Sequence, residues 1–323
     1  MERRSNDRGF EENFVEGRHL KLSDLKQEVV KAGVKIKMEV YLFKTNIPEY
    51  PRPEFHVSRL KHDTNINGLR GIRRSGGFRN PGKGVLQWWS LDVGAEEVAS
   101  AEKRLLEASC PDQTEEQAQR QQSFLGKFAT SPAFLKTSRL GSYRFTFPLE
   151  EVLEAYSEQF CSGEPPVMRV FETVLYKQGV MYVVLVHSPA NQEQFSKYPL
   201  LTDDPNAVCT HKDGRLIWRP EAMSETHGYE LVLRRDENLL EAQPVTPDPE
   251  FYVWDNVTVA LHVDEQVLNF DAQRLRENLK FCHKGYPPID KKCEFLDFPE
   301  AEEFVKELWP DFPSPLERAE GLN

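Results

Sequence analysis

His56 and Ser58 stand two residues apart in Glu54-Phe55-His56-Val57-Ser58-Arg59, a spacing that puts both side chains on one face of an extended strand. An imidazole and a nearby hydroxyl can together hold sugar hydroxyls or a carboxamide. Far along the chain, Glu172 opens an apolar stretch that runs to His187. A carboxylate in that position can stabilise an oxocarbenium-like centre at a sugar carbon. Arg59, Arg70, Arg73, Arg74 and Arg79 lie close enough in sequence to meet a pyrophosphate with planar guanidinium forks. Trp88, Trp89 and Tyr176 offer rings on which a flat heteroaromatic group can stack. Each of these residue types also has a plain structural use. A histidine on a short strand can be a hydrogen-bonded scaffold residue, a Trp-Trp pair can be one core and one surface ring, and arginines can be the solvated face of a helix.

The elements that must position these groups are readable from periodicity and punctuation. Leu22 to Val30 reads as a short helix with Ser23 as N-cap and Gly33 as its stop. Lys37 to Phe43 and Glu54 to Ser58 read as strands, and Asp63 or Thr64 is expected to cap a helix carrying Ile66, Leu69 and Ile72, ended by Gly76-Gly77. A strand at Val85–Leu91 precedes a helix at Ala95–Leu106. The polar stretch from Cys110 to Ser123 is expected to be solvated. Tyr143–Phe147 alternates as a strand, and Pro148 opens the helix after it. Met168 to His187 is broken by Lys177-Gln178-Gly179 into a hairpin. Further strands flank Asp213-Gly214 and fill Tyr229–Arg234 and Phe251–His262, with helices at Asp271–Leu279 and Ala301–Trp309.

With 323 residues and 39% hydrophobic content, the chain can bury a sizeable core. No run of about 18 apolar residues occurs, and the first residues carry charge where a signal peptide needs hydrocarbon. The five cysteines are scattered with no Cys-x-x-Cys pair, so no disulfide framework and no metal site are expected. A reduced compartment, cytoplasmic or nuclear, and no membrane partner are the expectations that follow. The net charge of -11 argues against general affinity for nucleic acid. The charge is uneven, however: residues 1–84 hold 18 Lys and Arg against 11 Asp and Glu, and the remainder 23 against 41. A basic first quarter leaves room for an anionic small ligand.

Taken in order, the His-x-Ser-Arg step, the helix ending in Gly-Gly-Phe, the aromatic strand, and Glu172 at the head of an apolar hairpin resemble the ADP-ribosyltransferase fold. The likeness covers residues 54–187 and is to the poly(ADP-ribose) polymerase catalytic domain. That resemblance implies an α+β chain with a split antiparallel β-sheet core, flanking helices and a C-terminal α/β extension. It implies NAD as the substrate, with ADP-ribose passed to a protein or nucleic-acid acceptor. Glu172 would be the catalytic carboxylate, while His56, Val57, Ser58, Arg59, Arg74, Trp88, Trp89 and Tyr176 would hold the dinucleotide. Two positions depart from the family pattern. Val57 stands where the family has a small glycine, and Trp88 stands nearest to the place of its second-strand tyrosine. Both departures favour a second expectation, a binding or interaction protein that keeps the fold without turnover.

The expected organisation is an N-terminal segment over 1–36, an ADP-ribosyltransferase-like domain over 37–236, a proline-containing linker or domain edge over 237–249 and a C-terminal extension over 250–323. Other nucleotide folds fall away, since Gly68-Leu69-Arg70-Gly71 is no Gly-x-Gly-x-x-Gly and no P-loop is present. No Gly-x-Ser-x-Gly elbow supports a serine hydrolase.

Overall fold

Alternating and apolar strand runs from both ends and the middle of the chain combine into one ten-stranded sheet. The computed structural model describes all residues except 7–8, 34–41, 44–49, 81–83, 177–178, 222–227, 246–251, 287–288, 290–292 and 323. The first half of the chain supplies β1 (Glu2–Ser5), β2 (Glu11–Glu16), α1 (Leu22–Ala32), β3 (Phe55–Val57), β4 (Arg59–Thr64), α2 (Ile66–Ser75), β5 (Gly77–Phe78), β6 (Leu86–Leu91), α3 (Ala95–Ser109), α4 (Glu115–Arg120), β7 (Tyr143–Pro148) and α5 (Leu149–Phe160). The second half supplies β8 (Val167–Tyr176), β9 (Gly179–His187), β10 (Cys209–Lys212), β11 (Arg215–Trp218), β12 (Tyr229–Arg234), β13 (Leu239–Pro244), β14 (Tyr252–His262), β15 (Leu268–Asn269), α6 (Ala272–Glu277), β16 (Leu279–Phe281), α7 (Phe298–Leu308) and β17 (Glu317–Arg318).

The large sheet runs in the order β1-β2-β8-β9-β14-β6-β4-β7-β16-β17. It is antiparallel except where β9 meets β14 and β16 meets β17. A second sheet, β10-β11-β3, is separate from it, and β12-β13 and β15-β5 are two-stranded. The chain is therefore an α+β fold with a large, mostly antiparallel sheet and flanking helices. β1 and β2 near the start of the chain and β14, β16 and β17 near its end belong to the same sheet as the middle of the chain. The boundaries expected at 36/37 and 250 thus do not separate one sheet from another. Leu239–Pro244, inside the expected linker, is β13 and pairs with β12 over its whole length.

Local chemistry explains most of the elements. Gly33 and Gly76 end α1 and α2 in the left-handed conformation, with φ of 59° and 72°. Gly77 is needed for close approach instead. A Cβ there would lie 2.1 Å from the Leu268 carbonyl oxygen, because β5 is pressed against β15. The caps are displaced from their expected places: Lys21, two residues before Ser23, precedes α1, and Asn65, one residue after Thr64, caps α2. The Asn65 side chain accepts from the N–H groups of Asn67 and Gly68. The strand expected at Lys37–Phe43 falls on residues that, apart from Leu42 and Phe43, lie outside the described ones.

The inward faces of the helices, such as Leu69 and Ile72 of α2, Val152 and Tyr156 of α5 and Val305 of α7, pack against the sheet. Phe78 sits at the centre of an aromatic group with Trp89 at 4.7 Å and Phe145 at 5.1 Å between ring centroids.

Polar side chains are buried where they tie the connections to the sheet. Arg144 of β7 forks onto Asp63 of β4 at 2.7 and 2.9 Å and donates to the carbonyls of Leu135 and Thr137. Lys61 donates to the carbonyls of Pro132 and Ala133, and burial pulls its ammonium down to about 8. The Arg169 guanidinium donates to Nε2 of His187, whose Nδ1 donates to Ser188 O, which fixes that ring as neutral.

Burial lowers the pKa of His187, His211 and His262 from 6.5. Below 6.5 the unfolded chain therefore binds more protons than the folded one, so stability present above that pH is lost as pH falls through the folded values. Glu172 and Glu221 are raised from 4.5 by burial and act in the opposite direction in a window opening upward from 4.5. The histidine slope is accordingly read at the upper end. Urea midpoints should fall between about pH 7 and 6 and fall less steeply in His262→Gln; a flat or rising midpoint contradicts this.

Candidate functional site

Glu172 lies on β8 opposite Glu16 of β2 and Val183 of β9. It is 1% exposed, and both carboxylate oxygens are taken by one guanidinium, with Arg4 Nη1 at 2.8 Å and Nη2 at 2.5 Å. The same arginine donates through Nε to Glu12 at 2.7 Å and lies over the Phe14 ring. Burial and the charges of Glu12 and Glu16 push the Glu172 carboxyl up, and Arg4 opposes them. The bidentate geometry is that of an ionised carboxylate neutralised by its own chain.

His56 lies on the other sheet. On β3 it faces Ile217 of β11 and bonds through Nε2 to Glu54 Oε1 at 2.7 Å. Glu54 Oε2 accepts from Arg219 Nε at 2.8 Å, and these two partners hold the Glu54 carboxyl below its usual range against the burial that raises it. Strand alternation turns Phe55 and Val57 into the core and Glu54, His56 and Ser58 to the opposite side. The Ser58 carbonyl accepts from Leu149 N–H at 2.8 Å. Arg59 is exposed and lies 3.7 Å from Asp92.

The outward face of this small sheet forms a cleft of about 540 Å³. His56, Glu54, Thr210, Lys212, Arg215 and Arg219 line it, and Glu172 does not. Its geometry follows from a two-residue hairpin. Asp213 and Gly214 both have positive φ, 50° and 71°, as a type I′ Asp-Gly turn demands. That turn sets Lys212 directly opposite Arg215. Both are exposed, and neither has a carboxylate partner among the described residues. Like charges facing across a ladder cost roughly 0.2–1 kcal/mol, a cost that an anion between them removes. With Arg219 the cleft carries three cations against the carboxylates of Glu54 and Asp213. Among the described residues no group of three His, Cys, Asp or Glu side chains could hold a metal ion.

The remaining expected contacts are dispersed. Trp89 is buried against Phe78, and Trp88 is half-buried on the other side of β6, packed on Phe14, Val174, Val183 and Ala260. Tyr176 pairs by its backbone with Gly179, and its side chain lies outside the described residues. Arg74 is exposed on α2. Its neighbours hold the C-terminal helix: Arg70 lies over Phe304, and Arg73 donates to Leu308 O.

The structure thus places His56 in a cationic cleft and Glu172, buried and paired with Arg4, on a different sheet, and does not bring the two together. The cleft cations Lys212, Arg215 and Arg219 come from the acidic remainder of the chain, not from its basic first quarter. Their signal in the sequence is the Asp213-Gly214 turn itself, because a two-residue loop fixes which flanking side chains face each other. No helix among the described residues is long and apolar enough to cross a membrane. No family model, no curated protein and no solved structure matches the chain.

Proposed function

We propose that the chain is an ADP-ribosyltransferase-like binding protein that holds a phosphate-bearing ligand in the cleft over β3, β10 and β11, without transferring ADP-ribose through Glu172. The observation that carries this reading is the unneutralised Lys212–Arg215 rung beside His56 and Arg219. A phosphate seated there makes charge-assisted hydrogen bonds to both cations and relieves their repulsion. NAD is the phosphate-bearing ligand that the sequence resemblance implies, and its pyrophosphate has the charge this rung lacks.

The transferase alternative needs a carboxylate that reaches the ribose of a bound dinucleotide. Glu172 has both oxygens on Arg4 and no opening toward the cleft that contains His56. A protein or nucleic-acid acceptor accordingly has no role in this reading.

The test is to incubate the chain with millimolar NAD and measure free nicotinamide, in wild type and in Glu172→Gln. The expected result is no release above the buffer rate in either protein. Release by the wild type that disappears in Glu172→Gln contradicts the proposal and restores the enzyme.

A further inference from the structure

A second cavity of about 310 Å³ adjoins the cationic cleft and shares Thr202 and His211 with it. Its other walls are Leu153, Pro165, Pro166, Met168 and Leu200. Apart from the two shared residues, every side chain lining it is apolar. Leu200 is 38% exposed, so hydrocarbon faces water at the border of a group of unneutralised cations.

We infer that the paired cavities form one site for a phosphate ester of a compact apolar alcohol, with the phosphate on Lys212 and Arg215 and the hydrocarbon against Met168, Leu200 and the two prolines. The inference rests on the phosphate-binding reading above and adds the carbon skeleton. Charge complementarity fixes the anionic end. The second cavity discriminates by what it lacks. A sugar or purine pressed into it would leave hydroxyl or ring-nitrogen groups without partners on the Leu, Pro and Met walls, which costs affinity. An aryl or alkyl group covers those walls and brings no polar group of its own to leave unpartnered there, and the Met168 thioether and the proline rings suit an aromatic face. The preferred ligand is then an apolar phosphate monoester, which takes the place of the dinucleotide implied by the sequence resemblance and keeps only the phosphate contact of that reading.

Three phosphates that differ only in the group carried separate the possibilities: inorganic phosphate, ribose 5-phosphate and phenyl phosphate, each titrated calorimetrically into the full chain. Phenyl phosphate should bind about tenfold tighter than the other two, the effect of covering a ring's worth of apolar surface. Leu200→Ser should bring phenyl phosphate close to inorganic phosphate and leave inorganic phosphate unchanged. Lys212→Ala with Arg215→Ala should weaken all three. Both changes are at exposed positions, and a circular dichroism melt matching wild type shows that the fold is kept. Ribose 5-phosphate binding as tightly as phenyl phosphate overturns the apolar-ester inference while the phosphate site stands. Failure of all three to bind overturns the phosphate site as well.

Discussion

Arg144→Met should lower the stability of the chain by about 3–5 kcal/mol, the cost typical of removing one partner from a buried ion pair. The side chain is 1% exposed, and its fork to Asp63 lies between β4 and β7 in the large sheet. Its remaining N–H groups hold the carbonyls of Leu135 and Thr137, so the substitution also leaves two backbone acceptors to find other donors. Lys61 anchors the neighbouring carbonyls of Pro132 and Ala133, which keeps the segment attached after Arg144 is lost and confines the damage to stability. Urea denaturation of Arg144→Met and of Arg144→Met with Asp63→Leu checks the argument. The single variant should be the less stable of the two, because the double variant no longer buries an unpaired carboxylate. A loss below about 1 kcal/mol in the single variant contradicts a buried, paired Arg144.

Arg4→Ala should cost about 2–3 kcal/mol, less than Arg144→Met, because Arg4 is 37% exposed and water can partly replace it. The damage comes from what remains behind: Glu172 at 1% exposure with Glu12 beside it, two carboxylates without the cation that joins them. Glu172→Gln alone should be milder, and in the Arg4→Ala background it should be neutral or stabilising, since an amide does not carry the buried charge. A double-mutant cycle therefore reports strong coupling between residues 168 positions apart in sequence. If Glu172 instead faced a substrate cavity, removing its charge in wild type would cost nothing and Arg4→Ala would have only a surface effect.

What sequence alone reveals about this chain follows the range of the interactions involved. Gly33 and Gly76 as helix stops, the β8–β9 hairpin and the Asp213-Gly214 turn are set by residues within a few positions, and each is legible. The cap of α2 lies one residue beyond Thr64 because Asn65 competes with Asp63 and Thr64 for the same orphan N–H groups, and Asp63 is already engaged by Arg144. Leu239–Pro244 has the composition of a linker, yet it pairs with β12 in a local hairpin whose ladder outweighs a weak strand propensity.

The candidate site is half legible. Alternation places His56 on the outward face of its strand, and that face lines the cleft. Glu172 at the head of a buried hairpin is legible as a position, but its environment is not, because Arg4 reaches it from the N-terminal strand. The basic first quarter suggests phosphate binding on its arginines, of which Arg70 and Arg73 contact α7. The facing cations of the cleft, Lys212 and Arg215, sit in a region whose net charge is negative.

Calorimetric titration of inorganic pyrophosphate into wild type, Lys212→Ala with Arg215→Ala, and Glu172→Gln tests the site most directly. Saturable binding in wild type, weakened at least tenfold by the Lys212 and Arg215 changes and untouched by Glu172→Gln, is the predicted result. Binding that survives loss of both cations, or that vanishes with Glu172, would contradict the placement of the ligand on the small sheet.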